Sequence, residues 1–279
     1  MVGCVVRAVQ SAKQQEAVGV RTMRNLLDTQ VPAPAGGAAP DIGKFLATIR
    51  QRFSLSEHEG DLIAAHLQEV VDLKAGDYLV REGQKIGYCS LILDGFAARF
   101  KETAAGERQI MEVQIPGDFV DLHSYPLEVL DHSIATLTPC RVARLPHRSL
   151  TQLIEDHPRF ARILWFSTMV DASMHREWLL NIGTRSGMAR IAHLMCEVYS
   201  RSKLVGLTED GKFRFPLSQT QIGECLGYTQ MHVNRMLKKL RQGGFVSGTG
   251  QIVEILDWEG LQQLGEFDPA YLYLSGREG

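Results

Sequence analysis

No pair of cysteines in this chain has zinc-ribbon or thioredoxin spacing. The five cysteines, Cys4, Cys89, Cys140, Cys196 and Cys225, are odd in number and scattered, and no C-x-x-C occurs. They read as reduced, mostly buried thiols. Long apolar runs are missing too: none approaches the roughly 20 residues that span a bilayer, so no membrane partner is expected. Residues 1–30 lack a continuous apolar core followed by a small-residue cleavage site, which makes a cytoplasmic location the expectation. Nor does either sign of charge dominate, since the net charge is −2. Nucleic-acid binding must then come from a local patch rather than a global basic field. Finally, there is no G-x-x-x-x-G-K, H-E-x-x-H, G-x-S-x-G or Rossmann fingerprint. An enzyme is therefore not expected, and no catalytic residue, metal-ligand set or cofactor is identified.

What is present suits a soluble globular protein: 279 residues, 44% hydrophobic and 22% charged, enough for one large domain or two ordinary ones. Residues 31–40 are rich in Pro, Ala and Gly, so residues 1–40 read as a poorly ordered extension ending in a linker. Short helices are expected at 41–50 and 56–70. In the second, Ser56 is the N-cap and Glu59 completes a capping box. Residues 71–145 hold short β-type runs at 78–80, 90–93, 97–100, 109–113 and 141–145, separated by Gly- and Asp-containing turns. Such spacing suggests a sandwich or barrel.

After Pro146 the pattern turns helical. Ile163, Phe166 or Ser167, Val170, Met174, Trp178 and Asn181 recur at steps of three and four. This seam can belong to a core helix or to half of a coiled coil. Its length beside a compact β-domain favours a dimer seam through Ile163, Val170, Met174 and Trp178. Asn181, Ile182 and Gly183 look like a hinge, after which Thr184 or Ser186 can cap a new helix to about residue 200. A short strand is expected at 213–215.

The chemistry concentrates in residues 219–240. Ser218 or Gln219 opens a helix carrying Ile222 and Leu226, with Gly223 where two crossing helices need a small residue. Gly227 ends it, as a left-handed turn requires. Thr229 then caps a second helix. At 100° per residue, Val233, Met236, Leu237 and Leu240 share one face, and Met231, Asn234, Arg235 and Lys238 the other. From Gln219 to Gln242 there are four basic residues and one acidic one, a local +3 on a chain of −2. An arginine for guanine or phosphate and an amide for adenine suit a major-groove reader. Candidate DNA contacts are Gln219, Thr229, Gln230, Met231, His232, Asn234, Arg235 and Lys238. A hairpin around residues 245–256 adds a wing.

This order resembles the Crp/Fnr family of bacterial transcription regulators over roughly residues 45–256. Residues 217–237 carry the resemblance most specifically. The segments Gly76-Asp77, Glu82-Gly83, Leu91-Ile-Leu-Asp-Gly95 and Pro116-Gly-Asp-Phe119 are similar to the family's cyclic-nucleotide-type β-roll, and Gly187-Met-Ala-Arg-Ile-Ala192 to the helix after its hinge. The resemblance implies an α+β fold divided into five parts. These are the extension (1–40), a β-roll (jelly-roll) sensor (41–156), a dimerisation helix with hinge (157–183), a winged helix-turn-helix (184–265) and a tail (266–279). It also implies a homodimer on a palindromic double-stranded DNA operator, with RNA polymerase as a further partner. The effector pocket would involve Gly117, Asp118, Asp121, His132 and Ser133.

Departures from the family pattern matter. No arginine occurs between Arg108 and Arg141, so the phosphate clamp of the cyclic-AMP binders is missing and cyclic AMP is not expected. Cys4 is alone near the N-terminus, so an iron–sulfur cluster is not expected either. No haem attachment motif accompanies His123 or His132. Met231 stands where family members often carry a glutamate, which leaves the operator sequence open. The signal is also open: a small molecule, redox chemistry at Cys89 or Cys140, or none. The alternative reading is a sensor module that has lost DNA binding, against which stands the polar outer face of Asn234, Arg235 and Lys238.

Overall fold

The computed structural model describes residues 40–248 and 250–274. Apart from Pro40, the expected N-terminal extension lies outside these residues, as do Cys4 and residues 275–279 of the expected tail.

Two short helices lead in, α1 (Gly43–Ile49) and α2 (Glu57–His66). The capping box on α2 forms as expected: Ser56 Oγ accepts the Glu59 N–H at 3.2 Å, and the Glu59 carboxylate accepts the Ser56 N–H at 2.9 Å. Strands β1 (Glu69–Leu73), β2 (Tyr78–Val80), β3 (Tyr88–Asp94), β4 (Ala97–Glu102) and β5 (Arg108–Gln114) follow. After the single-turn helix α3 (Ser124–Leu127) come β6 (Ser133–Thr136) and β7 (Cys140–Pro146). They form two antiparallel sheets, ordered β1-β7-β3 and β2-β6-β4-β5. Val80, Ile92, Ala97 and Ile134 come from both sheets and share one buried cluster, so the sheets close on each other as a roll. Burial of each valine or isoleucine in it contributes about 1.5–3 kcal/mol.

Helix α4 (His147–Asp156) and the long α5 (Arg159–Thr184) leave the roll. Pro158, with its fixed φ, precedes the first turn of α5. The expected break at 181–183 is absent: α5 runs unbroken to Thr184. One glycine inside a helix costs only about 1 kcal/mol against alanine. Asn181 turns inward instead, its Nδ2 donating to the Arg190 carbonyl at 3.2 Å. The chain bends at Arg185, whose ψ is 155°, and Ser186 caps α6 (Gly187–Leu204) through the Ala189 N–H.

The expected dimer seam also needs correcting. Ile163, Met174 and Trp178 are 0%, 3% and 5% exposed within the single chain. Trp178 Nε1 donates to both carboxylate oxygens of Glu197 at 3.0 Å. Val170 is half-buried at a small cleft shared with Phe166, Arg201 and Tyr273. These residues hold α5 to its own protomer. The helix has a second apolar face, and that one stays outside: Trp165, Met169, Leu179 and Leu180 are 65%, 49%, 74% and 47% exposed.

The C-terminal module begins with α6 and continues through β8 (Thr208–Glu209), β9 (Lys212–Arg214), α7 (Gln219–Leu226), α8 (Gln230–Gln242), β10 (Val246–Ser247), β11 (Ile252–Ile255) and α9 (Trp258–Gly265). Its antiparallel sheet runs β10-β11-β9-β8. One buried cluster joins Phe100, Ile110 and Val113 of the roll, Met174 and Trp178 of α5, and Ile191, Leu226 and Leu240 of this module. Gln109 Nε2 also donates to the Cys225 carbonyl at 3.0 Å. Output module and roll thus share a core. Among the described residues no helix is long and apolar enough to cross a membrane.

Candidate nucleic-acid interface and effector cavity

Local chemistry builds the α7–turn–α8 unit. Ser218 caps α7 through a capping box with Gln221. Gly227 follows with φ 70° and ψ 37°, the left-handed conformation that favours glycine. Thr229 caps α8, its Oγ1 accepting the His232 N–H at 3.4 Å. Gly223 lets the helices close up: a β-carbon there would stand 2.3 Å from the Tyr228 carbonyl oxygen.

Helix α8 has the two faces its sequence requires. Val233, Met236, Leu237 and Leu240 are buried. Gln230, Met231, Asn234, Arg235 and Lys238 are exposed, Met231 by 83%. Two polar links set the outer face. Asn234 Nδ2 donates to Gln219 Oε1 at 3.1 Å, tying the reading helix to α7. Arg235 Nη2 donates to His232 Nδ1 at 3.0 Å. His232 itself is only half-exposed. Its ring stacks on Tyr228 with centroids 4.4 Å apart, and its far side meets Gly187. His232 therefore positions Arg235 more than it offers an edge of its own. Arg190 lies over the other partner of that stack, 5.0 Å from the Tyr228 ring centroid. Thr229, Gln230 and Met231 begin the helix at its exposed N-terminal end, where backbone N–H groups favour phosphate. Lys239 and Arg241 occupy its last turn. All eight sequence-predicted contacts thus lie on α7, α8 or the turn joining them.

The sensor side is less as expected. A cavity of about 1080 Å³ lies between the roll, α4 and α5. Leu122, Tyr125, Leu150, Ile154, Leu164 and Trp165 give it apolar walls, and Arg99, His123, His132, Asp171 and His175 a polar end. Of the five predicted pocket residues only His132 lines it. Gly117 faces α1, where a β-carbon would meet the Lys44 backbone at 2.9 Å. Asp118 pairs with Arg201 of α6 at 2.5 Å. Asp121 is fully buried, accepting from the Ser90 N–H at 2.5 Å and Ser90 Oγ at 3.0 Å. Ser133 Oγ accepts the Glu82 N–H at 3.0 Å. The resemblance places these residues in the pocket, but the roll's turns point them elsewhere.

Sequence reading missed the ionic cluster behind the polar end. Arg99 bridges Glu112 at 2.7 Å and Asp171 at 3.2 Å, and His175 Nε2 lies 3.4 Å from Glu112. Burial raises the Glu112 carboxyl, but the Arg99 charge outweighs it and leaves the group at about 2. Asp171 goes the other way, to about 7, through burial and the neighbouring Glu112 charge. Arg99 and Asp171 are 72 positions apart in the sequence, so only the fold brings them together. Cys89 and Cys140 are enclosed. Burial pushes the Cys89 thiol well up and the Cys140 thiol to about 11. Neither has the accessible thiolate that redox chemistry needs.

Two family models match the chain, the cyclic nucleotide-binding domain over residues 70–157 and the Crp-like helix-turn-helix domain over residues 189–264. The transcriptional activator protein Anr of Pseudomonas aeruginosa is 27% identical over 212 residues, covering 76% of this chain and 86% of that protein. The transcriptional activator protein FnrA of Stutzerimonas stutzeri is 26% identical over 208 residues, covering 75% and 85%. In fold, the chain is similar to FixK2 from Bradyrhizobium japonicum, with a TM-score of 0.65 at 23% identity over 70% of this chain and 96% of that one. With a β-roll, a long helix and a Crp-like helix-turn-helix in the same order, the chain belongs to the Crp/Fnr family of DNA-binding transcription regulators.

Proposed function

We propose that the protein works as a homodimer that reads a palindromic promoter site with two copies of α8, under control of an effector bound in the cavity beside α5. The observation that carries this reading is the exposed polar face of α8, with Asn234 and Arg235 held in place by Gln219 and His232. Arg235 is the candidate for guanine, Asn234 and Gln230 for adenine, and Lys238 for phosphate. Thr229 and Gln219 sit at helix starts suited to the DNA backbone. Met231 offers only apolar contact, as to a thymine methyl.

The exposed stripe of Trp165, Met169 and Leu179 supplies the pairing surface. Those residues recur at a coiled-coil-like spacing. Two copies joined about a two-fold axis would place their reading helices in successive major grooves, about 34–36 Å apart. Relatives named as activators favour activation, with RNA polymerase as the further partner. The lost arginine clamp makes cyclic AMP a poor effector, and the buried thiols leave a small molecule as the preferred signal.

Selection of bound sequences from random duplex DNA tests the reading. Enrichment of an inverted repeat with half-sites about 10–10.5 bp apart supports it. Recovery of no preferred sequence would favour a regulator that has lost DNA binding.

A further inference from the structure

The polar end of the cavity contains one arrangement that the DNA-binding reading does not use. His123 and His132 flank α3 and turn their Nε2 atoms toward each other at 3.2 Å, with ring centroids 5.0 Å apart. Both line the cavity. On the far side of the His132 ring, Nδ1 lies 2.9 Å from Asp131 Oδ1. An ionised carboxylate only accepts, so Nδ1 carries the proton and Nε2 presents its lone pair.

We propose that His123 and His132 hold a divalent first-row transition metal ion through their Nε2 atoms at the polar end of this cavity. Geometry supports this directly. Two nitrogens bound at about 2.0–2.1 Å to one tetrahedral ion stand about 3.3–3.4 Å apart, so the pair needs to open by only about 0.1–0.2 Å. Asp131 supplies the carboxylate that commonly orients a ligating imidazole from behind. Among the described residues no three His, Cys, Asp or Glu side chains form a metal-holding group. The protein therefore contributes two ligands. The remaining positions face the cavity, open to water or to a small molecule with donor atoms. Such a site is open rather than closed, the kind that exchanges ligands. Carboxylates offset the nearby cations in part: Glu112 and Asp171 face Arg99, and Asp131 lies 3.3 Å from Lys101. The proposal does not depend on the DNA-binding reading. The competing account is a plain hydrogen bond between two imidazoles.

The test uses untagged full-length protein, stripped with a chelator and titrated with Zn²⁺ and Ni²⁺ by calorimetry. The expected result is saturable binding of one ion per chain. It should be lost in both His123→Gln and His132→Gln and retained in the exposed-helix control His58→Gln. Asp131 is exposed, so Asp131→Asn should fold normally and bind about 10–100-fold more weakly at unchanged stoichiometry. Circular dichroism of each variant confirms folding. If a histidine variant misfolds, the Asp131→Asn comparison decides. The proposal is overturned by an absence of saturable binding in the wild type. It is equally overturned by unchanged affinity in Asp131→Asn or in the folded histidine variants.

Discussion

Arg201 of α6 reaches across to the roll and binds Asp118 at 2.5 Å, while its other nitrogen donates to the Val113 carbonyl at 2.7 Å. One side chain thereby fastens the output module to the sensor. Its own guanidinium is 7% exposed, and Glu197 lies 3.8 Å away. Burial disfavours the charge, but the Asp118 and Glu197 carboxylates outweigh it and hold the guanidinium firmly protonated. Arg201→Leu leaves those carboxylates buried without their cation, so a loss of about 3–5 kcal/mol is expected in urea unfolding near pH 7. An unchanged midpoint would show that the junction does not depend on this pair.

The pairing face makes a second expectation. Leu179 is 74% exposed on the stripe shared with Trp165. Leu179→Asp places a charge at the C-terminal end of the proposed seam and should yield monomers in sedimentation experiments. Ile163→Ala should remain dimeric but lose about 2–5 kcal/mol of stability, because Ile163 is fully buried in its own protomer. The opposite pattern would return the seam to the inward face.

Asp121 predicts a pH dependence. Burial raises its carboxyl to about 7, against the opposing pull of the Ser90 hydrogen bonds. The folded state therefore holds a proton that the unfolded chain, with its ordinary value near 3.9, has already released. This contribution to stability is fully present below about pH 4 and is lost as pH rises through about 7. Asp121→Asn cannot ionise, so its melting temperature relative to wild type should improve from pH 5 to pH 8. A constant difference across that range contradicts the assignment.

Gly223 is the close approach between α7 and the turn. Gly223→Ala puts a methyl 2.3 Å from the Tyr228 carbonyl. Overpacking of this sort costs about 1–3 kcal/mol. Thermal unfolding should show it, together with weaker DNA binding because the start of α8 shifts. A fully active, equally stable variant would mean the turn relaxes freely.

The reading unit was legible because its signals are local. Ser218, Gly227 and Thr229 act within one turn of chain, and the faces of α8 follow from helical spacing alone. The capping box at Ser56 is local in the same way. Long-range facts were hidden. Periodicity found apolar residues on α5, but it could not tell which of two apolar faces the protomer keeps. It therefore assigned Ile163, Met174 and Trp178 to a partner when they pack inward. Gly183 looked like a hinge because a glycine in isolation resembles a break, whereas Asn181 bonding to Arg190 keeps the helix continuous there. The cavity's polar end joins Arg99, His123 and the α5 pair Asp171 and His175 from three separate stretches of chain. No spacing rule connects those stretches, and the motif residues Asp118 and Asp121 were drawn into structural bonds instead.

The central claim is that Arg235 reads a base from the exposed face of α8. Fluorescence anisotropy of the full chain on its selected duplex, across a range of salt, tests this most directly. Arg235→Ala should bind about 1–3 kcal/mol more weakly and lose its preference at one base pair of each half-site. Lys238→Ala should weaken binding to all sequences alike and reduce the salt slope by about 1. Equal affinity of Arg235→Ala and wild type for the selected duplex, with the base preference intact, would contradict the account.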